Sequence, residues 1–357
     1  MRIAVDASRP LAEQPEFGHN RWHPELKPIA RVEAGSELTI ECRDGLDGQL
    51  GASSTADDIR RLSLGHGHPL TGPIAVDGAR PGDLLEVEIL AFERASTGVT
   101  AVIPGFGFLA DEFPDPYLLV WQVDDGEARS EALPGIRVPA EPFPGVIGVA
   151  PSHERMKSFR RREQKLRAAG GPVADDVPET AVPALAALGL RTIPPRETGG
   201  NLDVRQLVAG SKAFFPVDVP DALFSVGDLH LAQGEGEVCG TALEIAGAIT
   251  VRFRVHHDPA WRPGLPTCET PGRPDRPAFV TMGIPIDADG RNVAMDLTLA
   301  ARNALREMLD YLVAMRSLSR EAAYALCSVV CDLRIAEAVD IPNPLVAAVL
   351  PLDIFDA

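Results

Sequence analysis

A chain of 357 residues, 45% of them hydrophobic, exceeds the usual size of a single core, so two or three packed subdomains are expected. Its net charge of −17 argues against nucleic acid or an anionic membrane as a partner. The N-terminal residues lack an apolar h-region, no uncharged apolar run reaches the ~18–20 residues that span a bilayer, and the five cysteines are scattered rather than set out as a disulfide framework. A cytoplasmic protein that assembles with itself as a homodimer or larger oligomer is the expectation.

The 32 glycines and 32 prolines follow no collagen-like period and read as punctuation between many short strands. Residues 1–150 are β-rich and sandwich-like. Val32 to Cys42 alternates around a turn at Ala34-Gly35, and Asp83 to Phe92 alternates almost strictly. Residues 151–200 break this pattern. His153 to Ala169 holds a run of arginines and lysines with a thin apolar stripe of Met156, Phe159 and Leu166, which reads as an exposed helix or a crossing segment, and a Pro-rich connection follows. Strands return in residues 201–257, and a Pro-rich loop opens the α+β part, 258–357. There Asp296 starts a helix with Leu297, Ala301, Leu305, Met308, Leu312 and Met315 on one face, and Ser319 caps a second helix running to about Ile335.

The stretch that carries most chemistry is Gly227-Asp-Leu-His-Leu-Ala-Gln-Gly-Glu-Gly-Glu-Val-Cys-Gly-Thr-Ala-Leu-Glu244. Asp228 and His230 are two apart, so an extended strand sends both side chains to one face. Gln233, Glu235 and Glu237 repeat that spacing, while Gly234 and Gly236 leave room for another backbone on the opposite face. Crowding these acids is unfavourable unless a cation sits among them or one keeps its proton. The pattern therefore points to a metal-centred or acid/base site; a wet hairpin with solvated acids is the plainer alternative.

Five blocks in order resemble the acetamidase/formamidase family of small-amide hydrolases. They are His68-Pro-Leu-Thr-Gly-Pro-Ile74, Gly78-Ala-Arg-Pro-Gly-Asp-Leu-Leu-Glu-Val87, Pro142-Phe-Pro-Gly-Val-Ile-Gly148, Gly199-Gly-Asn-Leu-Asp203 and the 227–240 motif. The likeness runs from about Val32 to Phe355. It implies a mainly β fold with an α+β C-terminal part: a jelly-roll-like β-sandwich, a β-barrel-like middle and a C-terminal portion with two long helices. It further implies hydrolysis of short aliphatic amides to a carboxylate and ammonia, with a divalent metal, zinc or calcium, in some members.

Amide hydrolysis needs an activated water, a stabiliser for the oxyanion and an acid for the leaving nitrogen. Asp228 and His230 are ligand types for a zinc-type ion, with Glu237, His68 and Asp203 as further candidates. Glu237 is the expected general base, with Glu235 as its alternative, and Asn201 is placed to donate to the oxyanion. Gln233, Asp47 and Cys239 are candidates for binding substrate. Two other schemes stay open: a thiol amidase using Cys239 with a glutamate and Lys212, and a protein that binds calcium or a small ligand without turnover.

Overall fold

The computed structural model describes residues 1–272, 276–339 and 341–356. Two large open sheets are built around one hydrophobic core. The smaller has six strands in the order Arg2–Ile3, Glu37–Cys42, Gly247–His256, Leu84–Arg94, Lys212–Pro216 and Thr267–Glu269. Alternation in the Leu84–Arg94 strand sends Leu85, Val87 and Ile89 inward, where each is fully buried. The larger sheet has eleven strands, and Phe224–Ala232 is its hub, pairing antiparallel with Phe143–Val149, Leu243–Glu244 and Leu70–Val76. All nine residues of that hub strand are buried, so its polar side chains must find partners inside the protein. Phe224 of the large sheet meets Phe253 of the small one edge-on at 5.1 Å, which ties the two layers together.

Strands from 1–150 and from 201–257 alternate within both sheets, so the two stretches share a core. Neither large sheet closes on itself among the described residues. The barrel-like middle is therefore replaced by open sheets, because the strands after residue 201 are divided between two layers. The mainly β class with a helical C-terminal part holds.

The basic segment forms one helix, His153–Ala168, capped by Ser152, whose hydroxyl accepts from the Arg155 N–H. Its thin stripe is enough to dock it: Met156 and Phe159 are buried with Trp22, Leu70, Val146 and Leu190. Arg155 pairs with Asp218, Arg162 with Glu197, and Glu163 with Arg196.

In the C-terminal part, Asp296 caps the helix Leu297–Arg316 by accepting from the Leu299 N–H. Leu305, Met308 and Leu312 are buried on the inner face, against a three-stranded sheet of Ala278–Gly283, Leu345–Pro351 and Asp332–Glu337. Met315 ends the stripe in solvent, 67% exposed. The second helix, Arg320–Val330, is shorter than its pattern implied. Cys331 turns extended, and Asp332–Glu337 pairs as a strand with Leu345–Pro351 instead. From Ala322 to Val330 this helix is buried all round, so it is a central pillar. No helix among the described residues is long and apolar enough to cross a membrane.

Candidate active site

The pillar helix fixes the loop that follows the hub strand. The Tyr324 hydroxyl donates to the Val238 carbonyl and accepts from the Leu109 N–H at 2.8 Å. Ser328 donates to the Thr241 carbonyl at 2.7 Å and accepts from the Cys239 N–H at 3.1 Å. Gly234 lies so near the backbone of Cys331 that a Cβ there would stand 2.1 Å from its carbonyl oxygen, the close approach that its sequence position foretold. Residues 233–241 are thus a clamped loop rather than the arm of a hairpin.

This clamping aims one acid of the motif inward and another outward. A cavity of about 80 Å³ is lined by the polar residues His68, Asn201, Asp228, Glu237, Thr241 and Glu244 and by the apolar residues Leu46, Leu64, Ile103, Phe106 and Ile193. Glu235 is not part of that lining; its carboxylate accepts from the Gln206 amide at 2.8 Å, with Arg334 nearby. Asp47 also lies elsewhere, accepting from the Leu11 N–H beside Arg43. Cys239 is fully buried with its thiol toward the carbonyls of Ala101 and Thr241, and burial pushes the thiol pKa up, which leaves it an inert packed group. Lys212 belongs to the six-stranded sheet, 3.8 Å from Glu86. The thiol scheme therefore finds its members apart.

His230 is the centre of the acid cluster. Its Nε2 lies 3.5 Å from Asp228 Oδ1 and 3.5 Å from Glu244 Oε2. Its Nδ1 lies 2.8 Å from Gln233 Oε1, and the Gln233 amide donates to the Asp203 carbonyl oxygen at 3.0 Å. With the Gln233 nitrogen engaged in that way, its oxygen faces the ring and Nδ1 carries the hydrogen. Nε2 is then the ring nitrogen that faces the two carboxylates, free to carry a proton or to ligate an ion. Gln233, expected to touch substrate, instead orients His230. Asp203 sits 4.0 Å from Nδ1 and groups with His230 and Glu237, their ligand-type atoms within 4.8 Å of one another.

Glu244 closes the set, and its sequence position gave little warning. One of its oxygens accepts from the Ala242 N–H at 3.0 Å, and the other is buried without a partner. His230 Nε2, His68 Nδ1, Asn201 Oδ1 and Asp203 Oδ1 are likewise buried and unpartnered. Five such atoms, three of them on residues that line the cavity, are a strong sign of a ligand, because a buried polar group without a partner costs about 1–3 kcal/mol. Asp228 adopts a left-handed backbone with φ of 55°, as do Asp203 at 50° and Glu237 at 42°, local strain of the kind found where side-chain aim matters.

Two glycines make the approach possible. A Cβ at Gly45 would stand 1.9 Å from Asp228 Oδ1, and one at Gly145 would stand 2.7 Å from Asp228 Oδ2 and 2.8 Å from His230 Nε2. Gly145 belongs to the Pro142–Gly148 block and Gly45 to the loop after the Glu37–Cys42 strand.

The charges depend on one another. Burial opposes a proton on His230, but the carboxylates of Glu244 and Asp228 outweigh it and hold the ring's pKa well above the ordinary value. Burial also resists charge on Asp228, but His68 and His230 hold it ionised. Burial pushes Glu237 and Glu244 well up, and Asp203 up to about 7. Burial lowers His68. The cavity is thus built for positive charge, and in the metal-free protein a proton on His230 supplies it.

Asp228, His230 and Glu244 also fit a metal. Zinc-type ligand bonds of ~2.1 Å in a tetrahedron place ligand atoms ~3.4 Å apart, and His230 Nε2 lies 3.5 Å from each carboxylate. That spacing is too long for a good hydrogen bond and right for ligands around an ion.

The family model described as Acetamidase/Formamidase family matches residues 4–357. The chain is 38% identical to an acetamidase of Mycolicibacterium smegmatis over 87% of this chain and 85% of that protein. It is 34% identical to a formamidase of Methylophilus methylotrophus over 99% and 93%. Among solved structures it resembles a gamma lactamase from Delftia acidovorans, with a TM-score of 0.93 and 31% identity, covering 100% of this chain and 94% of that one. An acetamidase from Bacillus halodurans aligns with a TM-score of 0.58 and 27% identity over 95% and 96%.

Proposed function

Since the chain belongs to the acetamidase/formamidase family and is an amidohydrolase of short amides, we propose that Asp228, His230 and Glu244 hold a divalent metal and that Glu237 is the general base. The observation that carries this reading is the pair of 3.5 Å separations from His230 Nε2 to Asp228 and Glu244, beside an acid lining the same cavity. Imidazole among the ligands favours zinc over calcium, which prefers oxygen alone. Such an ion, when bound, supplies Lewis acidity and lowers the pKa of water.

The chain's own residues do the rest. Glu237 accepts a proton from the water that adds to the amide carbonyl carbon. The Asn201 amide nitrogen donates to the oxygen as it gains charge. As the carbon–nitrogen bond breaks, Glu237 passes its proton to the departing ammonia, leaving the carboxylate. A buried carboxyl with a raised pKa suits this two-way role, since proton transfer is most effective near the working pH. His68, which lines the cavity, supports orientation of the substrate. Gln233 positions His230, and Asp203 sets the charge felt by Glu237.

The likeness to a γ-lactamase over the whole chain supports a second substrate, a γ-lactam opened by the same steps. Five unpaired cysteines, four of them buried, support a reducing compartment such as the cytoplasm. The test is release of ammonia from formamide, acetamide and propionamide by purified protein, with γ-butyrolactam ring opening followed beside it. Steady ammonia release is expected. No turnover of any amide would overturn the reading.

A further inference from the structure

The apolar residues of the cavity lining have no part in the steps above, and five hydrophobic side chains are more than a formyl hydrogen requires. Leu46 and Ile103 are buried at the wall, and Ile193 is half-buried. Leu64 and Phe106 are 38% and 43% exposed. Asp228 and Glu244 of the same lining are almost fully buried, so these two exposed side chains mark the mouth. The cavity of about 80 Å³ has room for several water-sized bodies, which exceeds the needs of formamide.

Phe106 is held where it can gauge length. Its N–H donates to the Ile103 carbonyl at 3.0 Å, and the Phe108 N–H donates to the Val238 carbonyl at 2.8 Å. Gly105 and Gly107 on either side adopt φ of 79° and 113°. A Cβ on Gly107 would stand 2.9 Å from both the Cys239 carbonyl oxygen and the Tyr324 hydroxyl. The loop is therefore pinned to the same pillar helix that fixes Glu237. The Phe106 ring lies against Gly240, where a Cβ would approach Cδ1 to 2.5 Å. An aromatic ring on a pinned loop at a cavity mouth is a rigid stop.

We propose that Leu46, Leu64, Ile103, Phe106 and Ile193 form an acyl-chain pocket, that this chain prefers saturated aliphatic amides of three or four carbons over formamide, and that Phe106 sets the length limit. The proposal rests on the hydrolase reading above. Each methylene moved from water onto this wall contributes through the hydrophobic effect, a gain of roughly three- to five-fold in kcat/KM per carbon.

The experiment compares kcat/KM for formamide, acetamide, propionamide, butyramide and hexanamide in wild type, Phe106→Ala and the conservative Phe106→Leu. Expected is a rise of several-fold per carbon to butyramide and a fall at hexanamide in wild type. Phe106→Ala moves the optimum toward hexanamide, with Phe106→Leu between them. A purely structural role would lower all five values together and leave their ratios unchanged, and that result overturns the assignment of Phe106. Formamide turned over as well as butyramide by wild type overturns the pocket while leaving the hydrolase reading intact. Ammonia from none of the five overturns both.

Discussion

Glu237→Gln is expected to lower kcat for amide hydrolysis by about 10²–10⁴-fold, the usual contribution of a positioned acid/base, while the protein stays folded. Glutamine keeps the shape of the side chain but cannot ionise, with an NH2 donor in place of one carboxyl oxygen. Burial, and then the neighbouring charge of Asp203, push Glu237 well above the ordinary carboxyl range, so no favourable native ionisation is lost with it. The Gly234 to Glu237 turn also survives, because it is closed by the backbone: the Glu237 N–H donates to the Gly234 carbonyl at 3.1 Å, and the Gly240 N–H donates to the Glu237 carbonyl at 2.8 Å. Steady-state kinetics with circular dichroism checks the result. A variant with wild-type kcat would remove Glu237 from the chemistry. Glu235→Gln is the control, expected to be nearly silent because that carboxylate faces Gln206 and Arg334.

Glu244→Gln separates function from stability. Activity is expected to fall about 100-fold or more, since losing a ligand costs at least as much as losing a residue that orients one. The metal-free variant is nevertheless expected to be at least as stable as metal-free wild type. Glu244 has its folded pKa raised by burial well above the ordinary 4.5, so the native state binds its proton more tightly than the unfolded chain does. Stability from that proton is full below about pH 4 and is lost as pH rises toward the folded pKa. Glutamine has no such proton to lose, so the variant's advantage in Tm grows with pH. Thermal melts of chelator-stripped protein at pH 5 and pH 8 check this. A metal-free variant that melts well below wild type at pH 8 would contradict it. The wild type thus carries stored electrostatic cost at its site, a common exchange of stability for activity.

Much of this arrangement is legible in the sequence. The two-residue spacing of Asp228 and His230 brings the two side chains together, 3.5 Å apart, and Asp228 lines one cavity with Asn201, His68 and Glu237. Alternation and caps located the long strands and both C-terminal helices. Legibility ended where the chain leaves regular geometry. Glu235 and Glu237 share a parity that an extended strand would honour, but the loop turns at Gly236, φ 112°, and sends them to different surroundings. Glu244 was hidden because it follows an apparently ordinary Thr-Ala-Leu and becomes visible only when its short strand pairs His230 with it across the sheet. Gly45 and Gly145 are also silent in sequence, since a glycine reports conformational freedom and says nothing of what approaches it. The helical pattern runs on to about Ile335, but pairing with Leu345–Pro351 makes Asp332–Glu337 a strand, because tertiary pairing outweighs local propensity.

Calorimetric titration of chelator-stripped, folded protein with zinc tests the central claim most directly. The account predicts one saturable site per chain, lost in Glu244→Gln and accompanied by the return of ammonia release from propionamide. Full hydrolysis by protein that is verifiably metal-free and takes up no zinc would contradict it.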